Sequence, residues 1–353
     1  PEKLTKQRDL MHTIDAKTLT TYVQALFQSA GAPIEHAQPV AASLVSANLA
    51  GHDSHGVIRT VQYLASMKDG VISGTAKPVI TRQTGAVTLV DGQRSFGQIG
   101  AHFTMLTAIE KAKIYGIATS ALYNSGHVGR LGEWVQMAAD QQMIGMGFCN
   151  GGSKGGLVTP HGGAARRLGT NPLACAIPRA SAPPIVIDFA TSVVAEGKIR
   201  VARNSGKPLP PGRILDVDGA ASTDPNALYA GGMLLPMAEH KGYCMALMMD
   251  YLGGVLTTGS CPMLPGFKWG NGVLFIVLNI DAFQSVDDFL AEGETLARSM
   301  KSTPPRAGFE EVLLPGEPEQ RMTAERLQHG IPIDNQTWQQ LLEAGTQLGV
   351  SVP

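Results

Sequence analysis

Apolar residues recur at helical spacing through the first seventy positions. Asp15 can cap DAKTLTTYVQALFQSAG, which stops at Gly31, and PIEHAQPVAASLVSANLAG follows with Pro39 near its start. A third helix is expected from Asp53 or Ser54 to Gly70. From residue 76 the period shortens. PVITRQTGAVTLVDG reads as two strands with a Thr-Gly turn. Helical GQIGAHFTMLTAIEKAKIYG, strand GIATSALYNSG, helix RLGEWVQMAADQQM and strands IGMGFCN, LACAIP and PIVIDFA come next. HKGYCMALMMDYLGGVL is a long apolar helix, GVLFIVLNI a buried strand and SVDDFLAEGETLARSM another helix. After Pro315 the pattern returns to helix in EPEQRMTAERLQHG and NQTWQQLLEAGTQLG. Helices thus bracket a mixed α/β core, and the two termini are expected to share one helical lobe.

Composition changes this picture in one respect. Charged residues are 16% of the 353, against roughly 25% in ordinary soluble domains. Much of the surface is therefore expected to be buried, in a large core or against another subunit, and a homo-oligomer is favoured. The formal net charge of −1, without a basic stripe, argues against nucleic acid. The longest apolar run, residues 272–280, is far shorter than the roughly 20 residues that span a bilayer. No apolar leader or cleavage site precedes the first helix, so the cytoplasm is expected. Cys149, Cys175, Cys244 and Cys261 form no CxxC pair and read as small buried hydrophobes.

Candidate chemistry concentrates in a few places. G-x-G-x-x-G is absent; GMGFCN misses it at Asn150. No phosphate-loop motif is present either. Gly-rich or helix-opening loops at NGGSKGGLVTPHGG, RRLGTNP, HKGY and LPGEPE could hold phosphates instead. In LAGHDSHGVIR, a helix starting near Ser54 would set His55 and Arg59 one turn apart. Arg59 could then grip a carboxylate while His55 trades a proton with the neighbouring oxygen or nitrogen. Equally, His55 could simply cap or pack the helix start. His52, His55 and His127 could bind zinc, but no metal motif accompanies them. His127 in NSGHVGRLGEW is either open to a ligand or a turn residue. Asp188, ending the strand in PIVIDFATS, could orient a histidine, bond a ribose hydroxyl or cap the next helix.

In order and spacing, DSHGVIR, SGHVG, PHGG, GTNPLACAIP, IDFATS, KGYCMAL, LPGEPE and the tail from Arg326 to Trp338 resemble the type-2 malate/L-lactate dehydrogenase family. These are the L-sulfolactate dehydrogenase-like NAD(P)H-dependent oxidoreductases, unrelated to Rossmann lactate dehydrogenases. The resemblance implies a non-Rossmann α/β fold with a largely antiparallel central sheet, flanking helices and a helical lobe from both termini. The lobe would comprise residues 1–75 and 319–353, and the cofactor-binding core 76–318. It implies a homodimer with active sites near the subunit interface. The implied reaction moves a hydride between nicotinamide and C2 of a small 2-oxo or 2-hydroxy acid. Cyclic imino-acid reduction on the same scaffold is the alternative, and a non-catalytic cofactor-binding protein the remote one.

Residue by residue, the resemblance makes His55 a proton donor, with His127 the competing acid/base, Arg59 the carboxylate clamp and Asp188 a further catalytic candidate. It assigns cofactor contacts to Ser54, Asn150, Pro160, Thr170 and Asn171, to Ile187, Asp188, Phe189 and Ala190, to His240 and Lys241, and to Gly316, Glu317 and Pro318. No metal is implied. Two segments depart from the family: PMAEHKGY, where relatives read P-L-G-G, and GFKWGNG. Glu239 would disfavour a 2′-phosphate, which favours NADH over NADPH. The leading PEKLTKQRDL matches no family segment.

Overall fold

The computed structural model describes residues 11–152, 154–204, 206–267 and 269–353. The unmatched leading segment therefore lies outside the described residues. Strand β1 (Met11–Ile14) precedes helices α1 (Ala16–Ser29) and α2 (Ile34–Leu49). A short 3₁₀ turn at Asp53–His55 leads to α3 (Arg59–Lys68). The hairpin β2 (Val79–Thr84) and β3 (Val87–Asp91) is followed by α4 (Gly97–Tyr115), β4 (Ile117–Ser125) and α5 (Leu131–Ala139). Strands β5 (Met143–Gly152), β6 (Leu173–Ile177) and β7 (Ile185–Phe189) come next. Helix α6 (Glu196–Asn204) opens a stretch of small elements, β8 (Ile214–Leu215), β9 (Ala221–Ser222), α7 (Pro225–Tyr229) and β10 (Met233–Leu234). Helix α8 (His240–Met249) continues into a π-helical turn, Asp250–Val255. The chain ends with β11 (Gly270–Asn279), α9 (Val286–Lys301), α10 (Glu317–His329), β12 (Ile331–Asp334) and α11 (Asn335–Leu348).

The central sheet has seven strands in the order β2-β3-β4-β11-β5-β6-β7. Only the β3–β4 pair is parallel; the other five pairs are antiparallel. Strand β11 is apolar nearly throughout because β4 and β5 flank it and helices cover it. Met105 and Ile109 of α4 and Val135 of α5 pack with Leu122 of β4 and Phe275 of β11.

A second cluster joins the two chain ends. Leu19, Phe27, Leu44, Tyr63 and Phe96 pack with Ile331, Trp338 and Leu341. The Tyr22 hydroxyl donates to the Leu341 carbonyl at 3.0 Å, and β1 pairs antiparallel with β12. Each large apolar side chain buried this way contributes about 1.5–3 kcal/mol over exposure. A third cluster, Val158, Leu168, Ile199, Ile214, Leu228 and Leu234, sits under the three-stranded sheet β10-β8-β9.

Two of the expected helices differ from the sequence reading. The third helix begins at Arg59, not at Asp53 or Ser54. Asn48 is the cause. Buried at the end of α2, its side chain accepts from the Val57 N–H at 2.8 Å and donates to Asp53 at 2.7 Å. A side chain that bonds the local backbone competes with the helical ladder, so the chain wraps Asn48 before turning into α3. A Cβ on Gly56 would collide with that amide. The second difference is α8, which loses α-helical geometry at Asp250.

Candidate active site

His55 and His127 come together face to face, with ring centroids 5.5 Å apart and 24° between planes. His127 sits in the loop between β4 and α5. That loop is clamped: Val128 N–H donates to Asn271 at 3.0 Å, Trp134 Nε1 donates to the Val128 carbonyl at 2.9 Å, and Gly126 N–H donates to the Ser95 carbonyl at 3.0 Å. Behind His127 stands Tyr63 of α3, buried against Phe27 and Phe96. Its hydroxyl lies 2.7 Å from His127 Nδ1 and 3.4 Å from the His127 carbonyl oxygen. Gln98 Nε2 donates to the same hydroxyl at 3.1 Å. Tyr63 can thus donate to Nδ1, or accept from Nδ1–H while donating to the carbonyl. Either way Nε2 of His127 is left for a ligand. His55 is held differently, through Nδ1 and the Ser54 hydroxyl at 3.0 Å.

Arg59 is half-buried, and its charge acts on both rings. Its guanidinium turns back to the Ser54 carbonyl through Nε at 2.7 Å and reaches Gln62 at 2.8 Å. Among the described residues no carboxylate bonds it. Burial lowers the His55 pKa to about 3, and the charges of Arg59, His52 and Arg130 add to the effect. Burial also drives His127 well below the ordinary value, helped by Arg59 and His55. Both rings are therefore neutral near pH 7, and an anion binding Arg59 would remove one cause of their depression.

Asp188 does not reach either histidine. Its Oδ2 accepts from the Gly132 N–H at 2.7 Å, at the N-terminus of α5. Burial raises its pKa, opposed by Gly132 N–H and by Arg130. Arg130 links the two groups, acting on His55 and Asp188 alike. Its Nε is buried without a hydrogen-bond partner among the described residues, and such a cationic donor suits a phosphate or carboxylate oxygen.

The expected cofactor segments converge around β7. Val186 N–H donates to the Pro315 carbonyl at 3.1 Å, bringing Gly316–Pro318 beside Ile187–Phe189. Gly316 caps α10 at φ 93°, a conformation suited to glycine. Thr191 N–H donates to the Thr170 carbonyl at 3.0 Å, and Met237 N–H to the Thr191 carbonyl at 2.8 Å. These bonds draw the GTNP loop and the start of α8 to the end of β7. His161, next to Pro160, lies 6.0 Å from the His240 ring. His240 and Lys241 are exposed. Several of these side chains have other partners. Glu317 holds Lys301 at 2.7 Å. Asn150 and Asn171 are buried, and their amides donate to Asp250 at 3.4 and 3.0 Å. Burial pushes the Asp250 carboxyl up to about 6 against those bonds.

His52 and Asp53 brace the site from below. His52 faces Glu319 at 3.4 Å, and Asp53 takes both terminal nitrogens of Arg326 on α10. Sequence reasoning missed Asn48, Tyr63, Gln98 and Arg130. Arg130 and Tyr63 could have been noticed, since each lies within a few residues of a candidate histidine or arginine.

Comparison with known proteins fits this arrangement. Over 348 residues the chain is 38% identical to hydroxycarboxylate dehydrogenase B of Escherichia coli (strain K12), covering 96% of this chain and 95% of that protein. It is 35% identical over 347 residues to a malate dehydrogenase of Pyrococcus horikoshii, with 94% of each covered. The fold superposes on the sulfolactate dehydrogenase structure from Methanocaldococcus jannaschii with a TM-score of 0.86 at 31% identity, covering 96% of this chain and 98% of that one. The malate/L-lactate dehydrogenase family model matches residues 14–342. The chain belongs to the malate/L-lactate dehydrogenase family and is an oxidoreductase.

Proposed function

We propose that the protein reduces a small 2-oxo acid, or oxidises the matching 2-hydroxy acid, with His127 as the proton-exchanging group. The observation that carries this reading is the paired His55 and His127 rings near an arginine that no carboxylate bonds among the described residues. A bound nicotinamide cofactor supplies or accepts the hydride at C2. Arg59 holds the C1 carboxylate, and Nε2 of His127 exchanges a proton with the C2 oxygen. His55 lies against His127 and narrows the space around that oxygen. Proton donation by His55 fits a helix that places it one turn from Arg59. That helix starts only at Arg59. His127 instead has a third group, Tyr63, fixing its ring, as an acid/base residue needs.

Toward the cofactor, the orphaned Arg130 Nε and the Gly-capped start of α10 support binding along Ile187–Ala190, Gly316–Pro318, Thr170–Asn171, Pro160 and His240–Lys241. Ser54 joins them through its contact with His55. The negative charge of Glu239 beside His240 supports NADH over NADPH. The lobe built from residues 1–75 and 319–353 carries the substrate side, and 76–318 the cofactor side. Free thiols at all four cysteines suit the cytoplasm. An exposed apolar stripe on α8 and its π-helical extension supports a homodimer.

The test is a panel of 2-oxo acids and cyclic imino acids, followed by loss of NADH or NADPH absorbance. Turnover of oxo acids with NADH is expected. His127→Ala should lower kcat by about 10² to 10⁴. Turnover confined to cyclic imines would replace the substrate assignment, and full activity in His127→Ala would move the proton to His55.

A further inference from the structure

A cavity of about 190 Å³ opens at Arg59, between the 3₁₀ turn, α3, α6 and α11. Ser54, Arg59, Gln62, Glu196, Arg200 and Gln340 supply its polar wall. Helix α6 is seated directly on the turn that carries His55, since a Cβ on Gly197 would come within 2.7 Å of the Ser54 Cβ. A substrate whose C1 carboxylate lies on Arg59 therefore has α6 beside it, with room for a short side chain.

The charges on that wall are arranged unevenly. Arg200 spends Nε and Nη2 on Glu196, at 3.0–3.3 Å. Arg200 also interacts with the Tyr229 hydroxyl that bonds Glu196. This is a partly exposed pair one helical turn apart, the kind that contributes little to stability and is readily exchanged. Glu196 has a second partner, the Tyr229 hydroxyl at 2.7 Å, so it keeps a hydrogen bond when Arg200 turns elsewhere. An arginine held by a weak intramolecular carboxylate, facing a cavity beside another arginine, is suited to a second anion.

We propose that Arg200 is a specificity-determining residue that receives a second anionic group, a carboxylate or sulfonate, at the far end of the substrate, with Glu196 as the latch that holds Arg200 when no such group is bound. This rests on the reading of Arg59 as the C1 carboxylate clamp. Monoacids leave the latch closed; diacids open it. Specificity here comes from a charged pair formed only with the longer acid.

The test compares kcat/KM for oxaloacetate and 2-oxobutyrate, with NADH, in the unaltered protein, Arg200→Met and Glu196→Gln. Thermal melts establish that each variant is folded. The unaltered protein should favour the diacid. Arg200→Met should lower the diacid-to-monoacid ratio about 10- to 100-fold, the loss expected of a hydrogen bond to a charged group. Glu196→Gln, which frees Arg200, should raise the ratio. If both acids are reduced and the ratio is the same in Arg200→Met, the assignment of Arg200 is wrong while the oxidoreductase reading stands. A ratio that falls in Glu196→Gln overturns it as well. Reduction of neither acid by the unaltered protein removes the underlying reading and this proposal together.

Discussion

At the level of single residues, the pH behaviour follows from burial and one neighbouring charge. Burial, with help from Arg59, depresses His127 and His55. In the free enzyme both rings are therefore held neutral below the pH at which an ordinary histidine gains its proton. Oxidation of a hydroxy acid needs a neutral ring, so the acid limb of its kcat/KM should lie below the ordinary histidine range. Reduction needs a protonated ring, whose population falls about tenfold per pH unit above the pKa, so its kcat/KM should fall as pH rises. Tyr63→Phe removes the group that serves Nδ1 of His127 in both protonation states. It should lower kcat about tenfold and displace the pH profile of reduction, with near-native circular dichroism. An unaltered profile would make Tyr63 a packing residue only. The sequence offered part of this site directly. DSHGVIR and SGHVG are compact, polar and recognisable. Tyr63 and Gln98 are not, because each sits on a helix that looks ordinarily amphipathic. Their role arises only when α3 and α4 meet the loop after β4.

Among the elements, those with a full period were legible and those without were not. Helices α1 and α2, the β2–β3 hairpin and the long strands β4, β5 and β11 each carry several repeats of their pattern. Asp15 caps α1 as expected, accepting from Thr18 N–H at 2.9 Å. Strands β8, β9 and β10 have two residues each, too few for any period. Strand β1 exists because β12 returns from the other end of the chain to pair with it, which no local window can show. The start of α3 was misplaced for a related reason: Asn48, on the preceding helix, decides it. The joint between α4 and the His127 loop has a sharper consequence. Gly97 opens α4 directly under that loop, and a Cβ there would strike the His127 carbonyl oxygen. Both neighbours are backbone, so no side chain can yield. Gly97→Ala should destabilise by about 1–3 kcal/mol, seen as a lower melting temperature. Because the loop carrying His127 must shift, kcat should fall as well. A variant with native melting temperature and rate would show that the loop gives way at no cost.

On the scale of the whole molecule, the low charge content and the surface have to be reconciled. With 16% charged residues, the chain covers large apolar areas in its three clusters. It nonetheless leaves a stripe uncovered. Leu247, Met248, Tyr251, Val255 and Leu256 all project from α8 and its π-helical extension, with Tyr251 62% and Leu256 61% exposed. From sequence this segment read simply as a long apolar helix. An all-round apolar helix is normally buried on every side, yet here the sheet covers only one face: Gly253 lies against the backbone of β5 and β11. Met263 and Leu264, on the loop that follows, are also exposed. Scattered apolar residues need no explanation, but a stripe on one helix face marks an interface. In the homodimer proposed above, a second copy of the chain would cover this stripe, as the low charge content favours. Sedimentation equilibrium should give twice the monomer mass. Tyr251→Glu with Leu256→Glu would put two like charges on each face across a two-fold axis, and should leave folded monomers. A monomeric unaltered protein, or a double variant still at full dimer mass, would place the contact elsewhere. Because the amides of Asn150 and Asn171 tie the start of the same π-helical turn to the cofactor side through Asp250, the monomers should also bind NADH more weakly, by fluorescence titration, than the dimer does.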